Sequence, residues 1–315
     1  MKEHYKLKRI CSEYPFIFSF VVLVIIATII NPSFLRWSNI STLFLQSSIK
    51  GIIALGMTLI IISGQIDLSV GSQCALISGV GVLLLNKTQN PFLMLIFCII
   101  FGIILGGING VLTAKVKIAP FIVTLATMSA YRSIIVQLGQ GGPFNVDINI
   151  LMSFRKIASG TTFGIPNLAL SFILLTILVW ILMTKTKFGR YVYSVGSNEQ
   201  ASFLTGINTS NIKMASFTIT GALCGISSFL LASRLTSITA ANVGMAFELD
   251  TIAAVAIGGT SMSGGRGKIW GTFLGIIMLQ MIEGILIAAK IPPFLSGLVK
   301  GVIIILAVIL QRKKS

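Results

Sequence analysis

The chain predicts an all-α integral membrane protein, on three observations: its apolar content, its poverty in charge, and the regular spacing of its apolar runs. Of 315 residues, 55% are hydrophobic and only 10% are charged, where an ordinary soluble domain is about 25% charged. Mean hydropathy is +0.95. A soluble protein of this size covers its surface with polar groups, and these are missing. A spanning helix takes about 20 apolar residues, so the length holds about ten spans and no separate catalytic domain. One transmembrane domain is therefore expected over residues 1–315.

Apolar segments fall at about 15–31, 41–63, 70–85, 91–114, 118–139, 167–183, 213–235, 250–262, 268–289 and 294–310. The first follows a basic tail (residues 1–14) in the manner of a signal peptide. It closes on Asn31-Pro32 with no small-residue cleavage site, so it reads as a retained span. The third and eighth are short and contain glycine, which suits tilted, broken or partly re-entrant helices. Charge parity supports ten spans with both termini cytoplasmic. With Lys2, Lys6, Lys8 and Arg9 inside, the count also places inside Lys115 and Lys117, the cluster Lys185, Lys187, Arg190 and Lys213, and the pair Arg266 and Lys268. The C-terminal Arg312-Lys313-Lys314 joins them, as the cytoplasmic bias of basic loops requires. Loops 31–40, 86–90, 236–249 and 290–293 fall outside with few basic residues. The 140–166 loop, with Arg155 and Lys156, fits least well.

The net charge of +16, from 24 Lys and Arg against 8 Asp and Glu, thus sits mostly at span ends and does not mark a nucleic-acid surface. Cys11, Cys74, Cys98 and Cys224 are scattered, and form neither a disulfide framework nor a metal site. His4 lies in the tail. No Ser/His/Asp set or carboxylate pair is evident, so the chain is not expected to be an enzyme. Glycines at four-residue spacing (Gly102, Gly106, Gly110; Gly221, Gly225; Gly271, Gly275) create small-residue faces, for packing within the chain or for a dimer.

Three segments carry more information. In Gly64-Gln65-Ile66-Asp67-Leu68-Ser69-Val70-Gly71-Ser72 a carboxylate, hydroxyls and glycines join two apolar helices with almost no loop. Asp67 and Ser69 can cap the next helix, or the segment can be a hinge or polar gate on a translocation path. In the basic loop at 184–212, Ser197-Asn198-Glu199-Gln200 fits a capping box and Gly206 a helix stop, predicting a short helix at about 198–205. That helix is either a docking element for a cytoplasmic partner or simple loop order. The third segment runs from Phe247-Glu248-Leu249-Asp250 through Gly258-Gly259 to Gly267-Lys268. Its spacing rejects a phosphate loop, because Met262 stands where the first glycine belongs and Ile269 where Ser or Thr belongs. A short half-span and a tight turn remain. Arg132, Glu283 and Lys300 are ionisable groups inside spans; either the last two pair across the Pro292-Pro293 turn, or Lys300 snorkels to the outer surface.

These segments together resemble one family. Gly56-Met57-Thr58-Leu59 followed by GQIDLSVGS, Phe188-Gly189-Arg190-Tyr191 followed by VGSNEQASFLTGI, and ELDTIAAVAIGGTSMSGGRGKIWGT are similar to the signatures of sugar-importing ABC transporter permeases of the ribose type. The match runs in order from about residue 50 to the C-terminus. The resemblance implies the ABC importer permease fold of about ten helices, with two permease subunits forming the pathway, either a homodimer or a pair with a related permease. It further implies two docked ATP-binding cassette subunits, an external sugar-binding protein, and no cofactor on this chain, ATP being held by the partners. The short helix then matches the coupling element of permeases, with Gly196, Asn198, Glu199, Ala201 and Gly206 as its residues and Gln200 departing from the usual alanine. Gly64, Asp67, Ser69, Gly71, Ser72, Glu248, Asp250, Gly258 and Gly259 are the expected path or hinge residues. The implied activity is ATP-driven alternating access for a monosaccharide, with ribose foremost, in a bacterial plasma (inner) membrane. The rival is an ion-coupled secondary transporter of a small solute, which would draft Asp67, Glu283 and Lys300 as coupling groups.

Overall fold

The computed structural model describes residues 15–290 and, beyond them, 292, 295, 297, 298, 301 and 302. The basic tail, most of the tenth apolar segment, and Lys300 with its expected pairing to Glu283 lie outside the described residues. The helices are α1 (Pro15–Ile30), α2 (Trp37–Ile62), α3 (Val70–Thr88), α4 (Pro91–Ala114), α5 (Pro120–Leu138), α6 (Ile148–Ser159), α7 (Asn167–Lys185), α8 (Lys187–Ser197), α9 (Glu199–Leu204), α10 (Thr209–Leu235), α11 (Phe247–Ile257) and α12 (Ile269–Ala288). Short strands β1 (Pro143–Asn145), β2 (Thr161–Thr162), β3 (Ile165–Pro166) and β4 (Ser237–Thr239) lie in the connections.

Among the described residues seven helices are long and apolar enough to cross a membrane: α2, α3, α4, α5, α7, α10 and α12. α1 is apolar but has 16 residues. The eighth apolar segment, expected as a short half-span, is α11 with 11 residues, about 16 Å of helix against a hydrocarbon core of about 30 Å. Its limits are local. Ala246 precedes it at φ 61°, and Gly259 follows its Gly258 cap at φ 84°. The expected third span, by contrast, is a continuous helix of 19 residues. Its glycines serve packing: a Cβ on Gly79 would press on the Ile135 side chain, and one on Gly81 on Met94 and Cys98.

α2 is the central post, buried along most of its length and packed by α7, α8, α10, α11 and α12. α4 and α10 share the most extensive helix contact among the described residues. A Cβ on Gly221 would stand 2.1 Å from the Gly102 carbonyl oxygen, and Gly225 abuts the Cys98 carbonyl in the same way. Gly275 and Gly271 likewise meet Ala254 and Gly258 of α11. The glycine faces therefore pack helices within the chain. Interior hydroxyls satisfy themselves on their own helices, as Thr58 does on the Ala54 carbonyl (2.7 Å) and Thr176 on Phe172 (2.8 Å), which a span without water requires. Cys74, Cys98 and Cys224 are buried free thiols.

The connections define two ends. At the upper end β1 pairs antiparallel with β4, Phe144 opposite Ile238, and Asn86 at the top of α3 donates to the Asn145 carbonyl (2.8 Å). There α6 lays Ile150, Phe154 and Ala158 onto the bundle on one helical face. At the lower end lie α8, α9 and the α11–α12 connection. Following the chain through each span, Lys115, Lys117, Lys185, Lys187, Arg190, Lys213, Arg266 and Lys268 all come out at this end.

Candidate functional site

The lower-end junction is built from all three singled-out segments. α2 stops at Ile62, and Gly64 turns the chain at φ 80°. The Ile62 carbonyl accepts from the Gly265 N–H (2.9 Å) of the α11–α12 connection. Gly196, near the end of α8, closes the arrangement so tightly that a Cβ would stand 1.6 Å from the Ile62 oxygen and 2.7 Å from the Gly265 nitrogen. Only glycine fits a backbone approach of this kind. Tyr193 of α8 donates to the Gly267 carbonyl (2.9 Å), and its burial pushes the phenol pKa up.

From this junction α9 stands outward. Its cap is Asn198, whose side chain accepts from the Ala201 N–H (2.9 Å). The expected cap at Ser197 is corrected, because Ser197 is still the last residue of α8. The stop is Gly206 at φ 85°, as expected. Ile207 N–H to Ser202 carbonyl (3.1 Å) and Gly206 N–H to Phe203 carbonyl (2.9 Å) complete a Schellman motif. Glu199 pairs with Lys213 of α10 at 2.6 Å. Ala201 lies exposed. Phe203 and Leu204, 66% and 79% exposed, project from this polar end. They were missed in the sequence, although an adjacent apolar pair inside a short capped helix of a basic loop is a usable signal.

Asp67, Ser69, Gly71, Ser72, Glu248 and Asp250 gather higher up. Residues 64–69 run without helix, so α3 begins inside the bundle rather than at its lower edge. Asp67 is fully buried. Its Oδ1 accepts from the Ser69 N–H (2.8 Å) and hydroxyl (2.6 Å), a bond to the N-cap residue that orders the turn into α3. The expected capping by Asp67 and Ser69 is corrected, since Ser69 makes no side-chain cap bond and neither side chain reaches a first-turn N–H. The Ser69 hydroxyl oxygen accepts from Gln73 (2.7 Å) and from Asn109 of α4 (2.8 Å). Since those amides point their NH2 groups at this oxygen, Gln73 Oε1 and Asn109 Oδ1 are left without partners among the described residues. Ser72 is buried one turn on.

α11 begins opposite α3. Gly71 and Gly244 are in mutual backbone contact, each needing to lack a Cβ, and the Glu248 carboxylate lies against Gly71. Arg132 of α5 donates to the Ala240 and Val243 carbonyls (2.7 and 2.6 Å), so it holds the chain that leads into α11. Lys50 of α2 pairs with Asp250 at 2.5 Å and lies over the Phe247 ring. The continuous helix α3 and the half-length α11 thus meet inside the bundle at their N-terminal ends. Gly258 and Gly259 end α11 at the lower junction, and Gly258 packs on Gly271. The expected path residues therefore divide: Gly64, Gly258 and Gly259 sit low, while the others form the interior layer.

The site therefore combines a half-length helix inside a multi-pass bundle with a capped helix at its lower end. Residues 39–308 match the model of the branched-chain amino acid transport system / permease component family. The chain belongs to this permease family. It is 41% identical over 96% of its length to the ribose import permease protein RbsC of Bacillus subtilis, covering 92% of that protein. It is 32% identical to RbsC of Escherichia coli K12 (98% of this chain, 97% of that protein). Against the galactose/methyl galactoside import permease protein MglC of Haemophilus influenzae the identity is also 32% (94% and 93%). No solved structure matches. The resemblance to sugar-importing ABC permeases holds over the full chain, and these relatives are transport permeases, not enzymes. Spanning helices and permease relatives make this a multi-pass protein of the bacterial plasma (inner) membrane.

Proposed function

We propose that the chain is the membrane-spanning subunit of an ATP-driven importer for a monosaccharide, ribose or a similar simple sugar. The ribose permeases among its relatives support the sugar class, and those named for galactose and arabinose mark its breadth. The lower end is cytoplasmic, in keeping with its basic residues, and both termini lie there in a bundle of about ten spans. ATP-binding cassette subunits dock on α9, and an external sugar-binding protein delivers substrate at the upper end. Two copies of this chain enclose the path within the membrane lipid. The chain binds no cofactor, since ATP stays on the partner subunits.

The observation that carries the reading is the junction of α9 with the ends of α2 and α11. Gly196, Asn198, Glu199, Ala201 and Gly206 form an element that a partner can push, with Phe203 and Leu204 as its apolar contact. Because Gly196 packs directly on Ile62 and Gly265, displacement of α9 moves the base of α2 and the turn below α11 together. Both then act on the layer containing Asp67, Ser69, Gly71, Ser72, Glu248 and Asp250. Gly64, Gly258 and Gly259 serve as the hinges, in a switch between two packed states.

The test is co-purification of tagged chain from membranes, with ribose uptake measured in proteoliposomes. Wild type should bring down an ATPase and take up sugar only with ATP. A Glu199→Arg, Gly206→Trp variant should insert but lose both. Wild-type uptake that runs on an ion gradient without ATP would instead establish a secondary transporter.

A further inference from the structure

One polar surface takes no part in the elements described so far. In the upper half of α2, Asn39, Thr42, Gln46 and Lys50 recur at three- and four-residue spacing, which aligns them on one helix face. Gln46 is nine residues from the start of α2, about 14 Å down the helix. α2 has 26 residues, about 39 Å of helix against a hydrocarbon core of about 30 Å, so Gln46 lies roughly 5–14 Å below the upper hydrocarbon edge. Gln46 and Thr42 are nevertheless exposed. Across from them, Gln280 of α12 donates to Gln46 Oε1 (3.0 Å) and to Glu283 Oε2 (2.9 Å). Asn31, Asn39, Thr42, Gln46 and Gln280 line a cleft of about 150 Å³ between α1, α2 and α12, with apolar walls at Ala27, Leu43 and Met281.

Exposed amides at this depth are costly against lipid tails, and such groups face a water-filled cavity or the bundle interior. The helix faces that do meet lipid look different: at a comparable depth α4 exposes Ile96, Ile100 and Ile103. The cleft's chemistry is also selective. Its lining combines neutral amides and a hydroxyl, which donate and accept, with aliphatic walls, and its volume is of the order of a single sugar ring. Lys50, at the foot of the stripe, is neutralised by Asp250, so no net positive field favours an anion.

We propose that this cleft is a sugar subsite on the outer half of the translocation path, recognising a neutral monosaccharide through Asn39, Thr42, Gln46 and Gln280. The proposal rests on the importer reading. It moves substrate contact away from Asp67, which is sealed, onto the α2–α12 face. A small cleft with exchangeable amide contacts suits brief occupancy, which an importer that must release its cargo needs.

The experiment introduces Gln46→Cys, Thr42→Cys and, as the lipid-facing control, Ile100→Cys into the assembled transporter. Each is labelled from outside with a charged, membrane-impermeant thiol reagent, with and without millimolar ribose, arabinose or galactose. Wild type serves as the blank for its native thiols. Positions 42 and 46 should label, position 100 should not, and one of the sugars should slow labelling at least threefold. A Gln280→Leu variant should lose about tenfold in ATP-driven uptake while retaining insertion and ATP hydrolysis. Labelling at 46 no faster than at 100 would show a lipid- or protein-covered face and overturn the cleft. Labelling that no sugar slows would leave a wet surface and remove the subsite. Wild-type uptake is measured first: if it is absent the importer reading falls and the subsite falls with it. Uptake with unprotected Gln46→Cys removes the subsite alone.

Discussion

The Lys50–Asp250 pair ties the half-helix α11 to the central post, and its energetics can be tested directly. The carboxylate is 6% and the ammonium side chain 20% exposed, at a separation of 2.5 Å. With an effective dielectric of about 20, opposite charges this close attract by roughly 6 kcal/mol before desolvation is subtracted. Removing one member of a buried pair costs about 3–5 kcal/mol, because the survivor stays desolvated, whereas replacing both by apolar groups is close to neutral. Lys50 keeps partial access to solvent, and Asp250 lies in the first turn of α11, where the helix dipole favours it. Both effects lower the single-variant cost, to about 2–4 kcal/mol.

Lys50→Ala should therefore lower the apparent melting temperature of the purified protein by roughly 5–10 °C. The change can be followed by intrinsic fluorescence of Trp37, Trp180 and Trp270. Asp250→Leu should do the same. The double variant Lys50→Met, Asp250→Leu should recover most of the loss. If the single variants melt with wild type, or the double variant melts as low as the two losses added, the pair does not anchor α11. The loop held by Arg132 would then be its attachment.

Gly196→Ala should abolish ATP-coupled uptake while leaving chain in the membrane, because its Cβ falls 1.6 Å from the Ile62 oxygen and α8 must withdraw from the junction; unchanged uptake would refute the lever. Gly221→Leu should reduce accumulation in membranes severely, since a Cβ alone would lie 2.1 Å from the Gly102 oxygen; normal yield, quantified by immunoblot, would mean the α4–α10 crossing is looser than described. Asp67→Asn should cost about 1 kcal/mol, as Oδ1 can still accept from Ser69 while a reoriented Gln73 amide accepts from the new NH2. Asp67→Leu should cost about 2–4 kcal/mol by stranding the Ser69 N–H and its neighbours, and equal melting of the two variants would contradict that difference. Phe203→Asp with Leu204→Asp should leave melting unchanged and release the ATPase from the purified complex; retention of the ATPase would place docking elsewhere.

How far the sequence could be read followed from how local each signal is. Spans are set by apolar length, so α2, α4, α5, α7, α10 and α12 fell within a few residues of their expected places, and the loop clusters at 115–117, 185–213 and 266–268 sorted to one end while Arg155 and Lys156 did not. Gly206 was legible because a helix stop needs only its own φ. Ser197 misled for the same reason in reverse: the S-x-x-Q pattern is satisfied in spelling, but α8 continues through Ser197, a continuation set by the packing of Val192 and Val195, which spacing does not encode. α11 was legible as a half-span because its apolar run is short and closes on glycines. The turn at Gly259 and the contact of Gly258 with Gly271 cut it short.

The site was harder to read, because its partners lie far apart in the chain. Asp67 was conspicuous as a lone acid between spans, which suggested a helix cap or a hinge or polar gate. Its actual partners, Ser69, Gln73 and Asn109, seal it, and only the last of these comes from another helix. The α2 stripe was inconspicuous by comparison, since Asn39, Thr42 and Gln46 carry no charge and sit within an otherwise apolar run. Nothing in the sequence said which face of α2 was open. An uncharged polar side chain is informative only once its exposure at depth is known. In a sugar path the residues that matter are expected to be of that kind, so the strongest sequence signals here marked the frame of the transporter. Its lining had to be found from the packing.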